Sequence, residues 1–144
     1  MPTARNFFDQ TEQHMLIEAI AQAELETSGE IRLHIENFCF GNEIKRSEKV
    51  FTKLNMHKTK ERNGVLIYIA TFSKKIAVVG DEGIHQKLGN EFWQKLVNEL
   101  IKDFRENRKA PALAKCILAC GEQLGKFFPI KSDDENELTN TISF

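Results

Sequence analysis

The run VLIYIA, residues 65–70, is apolar at every position, and it constrains the fold more than any other stretch of the chain. A strand without a polar face has no side to turn to water. It is buried on both faces, as the central strands of layered α/β sheets are. The turn pair Asn63-Gly64 leads into it, and TFSKK after it is short enough for a hairpin. IAVVG is therefore expected to return antiparallel beside it.

The flanking segments supply the layers. Asp9, with Glu12 three residues on, has the spacing of a capping box. Met15, Leu16, Ala19, Ile20 and Ala23 then form an apolar stripe at helical spacing. The helix is expected to end at TSG, with Gly29 as a left-handed cap. EIRLHIEN alternates: Ile31, Leu33 and Ile35 against Arg32, His34 and Glu36, a strand with one wet face and an outer position. Asn42 caps a helix carrying Ile44, Val50, Phe51 and Leu54. A helical turn after Gly83 is broken by Gly89, and Asn90 caps a long helix with Phe92, Trp93, Leu96, Val97, Leu100, Ile101 and Phe104 on one stripe. Pro111 suits the first turn of a last helix running to about Phe127, where Pro129 stops it. The expected fold is a three-layer α/β sandwich, a small mixed β-sheet with helices on both faces. Residues 1–129 form a single domain. A polar tail, 130–144, follows, with Leu138, Ile142 and Phe144 as possible anchors.

Composition narrows the function. The net charge of −1 over 144 residues argues against nucleic acid as a partner, because phosphate binding needs a positive field. No apolar run approaches the roughly 18 residues of a membrane span, and MPTARNFFDQ has no apolar signal-peptide centre. A cytoplasmic monomer is expected. Cys39, Cys116 and Cys120, an odd count, fit a reducing compartment, and Cys116 and Cys120 share a helix face as core residues. No Cys or His pair has zinc-finger spacing.

The chemistry concentrates in Gly80-Asp81-Glu82-Gly83. One interpretation is a helix start, with acids complementing the helix dipole. The other is a pair of hard oxygen ligands on a loop whose glycines relax the backbone torsions and let a cation approach. With the first two strands parallel and the third antiparallel, Glu30 and Asn63 share that end of the sheet with Asp81. Asn63 is either turn chemistry or a carbonyl ligand. Arg62 either holds a phosphate or pairs with Asp81. His34 and Glu36 point to one strand face, which is more simply a covered or solvated face than a metal site. His85 is a candidate proton donor. The tail acids Asp133, Asp134, Glu135 and Glu137 are oxygen-rich but lack the spacing and central glycine of an EF-hand loop. There is no P-loop, no G-x-S-x-G, and no arginine six residues after Cys39.

Taken together, ETSGEIRLHIE, ERNGVLIYIA, KKIAVVGDEGI and DFRENRKAPALAKCI resemble the TPM domain family over about Phe7 to Pro129. That family includes thylakoid-lumen proteins linked to photosystem II repair and many bacterial proteins. The tail resembles that of a short bacterial subgroup. The resemblance implies a compact α/β fold with a cleft at one end of the sheet, and binding of calcium or magnesium there by loop acids. The expected metal ligands are Asp81, Glu82, Glu30 and Asn63. The expected function is a cation-binding interaction or complex-maintenance module with an unidentified protein partner. The alternative is a metal-dependent acid phosphatase in the same cleft, with Lys60, Arg62 or Arg105 holding phosphate and His85 or a carboxylate moving protons. No catalytic residue is assigned.

Overall fold

The structure, a computed structural model, describes residues 3–130 and 142–144. Its order is α1 (Gln10–Glu24), β1 (Glu30–Glu36), α2 (Glu43–Lys53), β2 (Gly64–Ala70), β3 (Lys75–Gly80), α3 (Glu82–Arg105) and α4 (Lys109–Phe127). β2 lies between the other two strands. It runs parallel to β1, from Glu30 opposite Gly64 to Glu36 opposite Ala70, and antiparallel to β3, from Val65 opposite Gly80 to Ala70 opposite Lys75.

Every residue of β2 is buried, and two helical layers do the burying. Ile31, Leu33, Ile35, Val65, Ile67, Ile69, Ile76 and Val78 face one core with Leu16 and Ile20 of α1, Trp93 and Leu100 of α3, and Leu113 and Ile117 of α4. The opposite faces of β2 and β3 set Leu66, Tyr68, Ala70 and Ala77 against Val50 and Phe51 of α2 and against Met56. The three-layer α/β expectation holds, as do the central position of VLIYIA and the outer position of EIRLHIE.

The local signals act as their chemistry requires. The Asp9 carboxylate accepts from the Glu12 amide at 2.8 Å, and the Glu12 carboxylate accepts from the Asp9 amide at 3.0 Å. Asn42 Oδ1 accepts from the amides of Ile44 and Lys45. Gly89, at φ 78° and ψ 173°, breaks α3 between its first turns and its long apolar segment. Two details differ from expectation. Met15 is 40% exposed and lies off the buried stripe. Gly29 is not left-handed, since Gly89 is the one glycine with positive φ among the described residues. Gly29 sits in close quarters instead: a Cβ there would stand 2.9 Å from Leu124 Cδ2 and 3.2 Å from the Asn63 carbonyl oxygen.

The outer edge of β1 is covered by the chain itself. The Ile35 amide donates to the Ser143 carbonyl, and the Ser143 amide donates to the Leu33 carbonyl, each at 2.9 Å. Ile142 is buried beside them. His34 Nδ1 lies 2.8 Å from Ser143 Oγ, and His34 Nε2 lies 3.3 Å from Glu36. Glu36 also accepts two hydrogen bonds of 2.8 Å from Arg46 and one from the Tyr68 hydroxyl. His34 and Glu36 thus belong to a structural network beneath α2.

Burial alone would raise the Glu36 carboxyl, but the hydrogen bonds from Arg46, Tyr68 and His34 outweigh it and bring it from 4.5 to about 2. A folded value below the unfolded one means that Glu36 stabilises the protein above pH 4.5. The contribution shrinks as pH falls and is gone below about 2. Melting curves of the wild type and Glu36→Gln should therefore differ most above pH 4.5 and converge toward pH 2. A pH-independent difference would contradict this. Trp93, 6% exposed in the core, donates its indole N–H to His85 Nδ1 at 3.0 Å. Trp93→Ala should cost about 3–5 kcal/mol, read as a lowered denaturation midpoint; an unchanged midpoint would contradict the core placement.

Candidate functional site

β1 and β2 begin, and β3 ends, at the same end of the sheet. Arg62, just before β2, has a left-handed backbone at φ 53°, which costs a non-glycine residue about 1–2 kcal/mol. Its surroundings hold it there. The Gly83 amide donates to the Arg62 carbonyl at 2.8 Å, and the Asp81 amide donates to the Gly64 carbonyl at 2.8 Å. The Arg62 guanidinium grips Asp81 with both prongs, Nε to Oδ2 at 2.8 Å and Nη2 to Oδ1 at 2.9 Å. Asp81 Oδ1 also accepts from the Glu82 amide, capping α3. Buried Asp81 is thus neutralised by Arg62, the pairing that was one of the two expectations for that arginine.

The glycines of this turn act through space rather than torsion, which corrects the expectation of special backbone angles. Neither Gly80 nor Gly83 has positive φ. A Cβ on Gly80 would lie 2.4 Å from the Trp93 ring. One on Gly83 would lie 2.3 Å from the Glu61 carbonyl oxygen and 2.5 Å from that of Arg62.

A second group of oxygens sits on the β1 side of the same end. Glu30 is 2% exposed. Glu24, from the last turn of α1, accepts from the Ile31 amide at 2.8 Å. Burial pushes the Glu24 carboxyl up to about 9 against the pull of that amide, and the charge and hydrogen bond of Glu30 push it further in the same direction. At neutral pH Glu24 keeps its proton and shares it with Glu30. Beside them Asn63, 1% exposed, donates to Ser28 Oγ at 3.3 Å, and Ser28 Oγ donates to Glu61 at 2.7 Å. The Glu30 amide faces the Asn63 carbonyl at 3.4 Å. Asn63 Oδ1 is buried without a hydrogen-bond partner among the described residues. Glu24 was not singled out from sequence. The signal was its spacing: Leu16, Ile20 and Glu24 stand four apart, so this half-buried acid extends the inward side of α1.

The expected site residues thus fall into separate groups. Glu30 and Asn63 come together with Glu24. Asp81 lies across β2 from them, just past the end of β3, held by Arg62. Glu82 is exposed. His85 accepts from Trp93 and lines, with Arg62 and Asp81, a groove of about 1010 Å³ that follows β3 between α2 and α3. Arg105 is exposed in the last turn of α3, beyond the Gly89 break by about 24 Å of helix at ~1.5 Å per residue. It is not brought to Asp81. Asp133, Asp134, Glu135 and Glu137 lie outside the described residues. Among the described residues, no three His, Cys, Asp or Glu side chains converge as a metal centre.

A hard cation wants several oxygens and no competing positive charge. As it stands Asp81 does not fit, because a guanidinium occupies both its oxygens. Glu24, Glu30 and Asn63 do fit: two carboxyl groups pressed together, with a partnerless amide oxygen at the same end of the sheet.

No helix among the described residues is long and apolar enough to cross a membrane. No curated protein matches the chain. Among solved structures, the NMR structure of the BA42 protein from the psychrophilic bacterium Bizionia argentinensis is similar, with 39% identity, 95% of this chain and 94% of that chain covered, and a TM-score of 0.86. The family model of the TPM domain matches residues 3–123, a span that contains Glu24, Glu30, Arg62, Asn63 and Asp81. The chain therefore belongs to the TPM domain family.

Proposed function

We propose that this TPM domain is a divalent-cation-binding interaction module that takes calcium or magnesium at the Glu24, Glu30 and Asn63 end of its sheet and presents the ordered end to a protein partner. The observation that carries this reading is the pressing together of Glu24 and Glu30 in a buried place, where the Glu24 carboxyl is driven up to about 9. Two like charges in one low-dielectric site cannot both ionise without a counter-charge. A bound cation would supply that charge. Glu30 and Glu24 would offer carboxylate oxygens, and Asn63 the amide oxygen that now lacks a partner. The loops before β1 and β2, already joined through Ser28, Glu61 and Asn63, would be fastened further. Asp81 and Glu82 are the competing ligand pair. They would require the Arg62 side chain, 45% exposed, to leave Asp81.

Thermal melting in calcium or magnesium separates the two sites. A cation that binds only the folded state raises stability by about 2.7 kcal/mol at a hundredfold excess over its dissociation constant. The expected result is cation-dependent stabilisation of the wild type and of Asp81→Asn, and none for Glu30→Gln. Stabilisation lost in Asp81→Asn but kept in Glu30→Gln moves the ion to the Gly80–Gly83 turn, and stabilisation of none of the three overturns cation binding. The phosphatase alternative is favoured by one observation, that Arg62 and His85 line the same groove. Hydrolysis of p-nitrophenyl phosphate by the pure protein, with and without chelator, tests it. An interaction module leaves the rate at that of buffer, whereas cation-dependent turnover lost in His85→Ala would select the phosphatase.

A further inference from the structure

The two edges of the sheet are treated differently. The β1 edge is covered by an isolated parallel bridge between Ser143 and His34. The β3 edge carries none among the described residues. The Asp81 amide bonds to the Gly64 carbonyl, so in the antiparallel register Val79 and Ala77 also exchange hydrogen bonds with β2. The alternate residues, Ile76, Val78 and Gly80, turn their N–H and C=O groups outward. They open into the groove of about 1010 Å³ walled by α2 and α3. An unpaired edge of this kind is a template for another extended chain.

We propose that this edge is a strand-addition site for an extended segment of a partner protein, with alternating apolar residues and one basic flank. An added strand would continue the pleat of β3, its side chains alternating between the two walls. One wall offers Val97 and Ile101 of α3, the other Ile44 and Phe51 of α2. Polarity follows from the rim. Glu48 on α2 and Glu82 and Glu91 on α3 are exposed and make no ion pair among the described residues. The hairpin end has Glu43 with Lys74 and Lys75, and Lys75 Nζ already donates to the carbonyls of Cys39 and Gly41. The acids therefore dominate toward Gly80, and the basic flank of the segment lies there. A single extended chain carries no walls of its own, whereas a second copy would bring its own α2 and α3 against these. The groove, and not the cation site, defines this surface, so the inference goes beyond the cation reading.

The test is an amide-proton NMR titration in chelator, so that cation binding plays no part. The probe is the acetylated, amidated peptide Lys-Lys-Val-Thr-Val-Thr-Val-Thr-Lys-Lys. Saturable shifts are expected along β3, with slowed hydrogen exchange at Ile76, Val78 and Gly80. The same peptide N-methylated at alternate residues should bind about tenfold more weakly, because the ladder hydrogen bonds are lost. Val78→Pro removes an outward N–H while leaving the ladder to β2 intact, and should abolish binding. If that variant does not fold, Glu48→Lys with Glu91→Lys changes exposed positions only and should weaken binding of the lysine-flanked peptide by about tenfold. No saturable shift, or equal binding of the N-methylated peptide, overturns the proposal. Slowed exchange at β3 that needs no peptide and grows with protein concentration overturns it in favour of a second copy.

Discussion

Burying β2 on both faces obliges a chain of this length to place helices above and below its sheet, and the rest of the architecture follows. Each large apolar side chain taken fully out of water contributes about 1.5–3 kcal/mol, and β2 sends Leu66 and Tyr68 one way and Val65, Ile67 and Ile69 the other. No water-facing surface remains along the strand. Polar chemistry is left to the strand ends and to the sheet edges. A parallel β1 and an antiparallel β3 then decide which residues meet: those before β1, before β2 and after β3.

At that shared end the protein treats its acids in two ways. Asp81 is buried with a bidentate arginine, so its charge is satisfied and its helix capped. Arg62 can offer that fork because it sits in a left-handed turn pinned by the Gly83 amide. A Cβ on Gly83 would collide with the carbonyls of that turn. Glu24 and Glu30 share one proton at neutral pH, because burial and the neighbouring charge keep Glu24 from ionising, and a cation could take that proton's place. The cation reading rests on that difference between the two carboxylate sites.

Much of this was legible in the residues. The unbroken apolar run identified the central strand, alternation identified the outer one, and Asp9 with Glu12 marked a helix start. Gly89 marked the break in α3, and Trp93 its buried face. Those signals are local, and local chemistry sets them. What sequence did not reveal depends on tertiary neighbours. The glycines at 80 and 83 suggest torsional freedom, yet they are needed for space against Trp93 and the 61–62 backbone. Glu24 looks like a solvated acid in a last helical turn until β1 is seen to close over it. The cover that residues 142–144 give β1 is a long-range pairing that no periodicity announces.

The central claim is that the Glu24 and Glu30 pair, rather than the glycine-flanked turn, receives a cation. Amide spectra recorded during a calcium titration report on both places at once. The account predicts saturable shifts centred on the amides of Glu30, Ile31 and Asn63, with Glu82 and Gly83 little changed. Shifts centred on Glu82 and Gly83, with Glu30 and Ile31 unmoved, would contradict it.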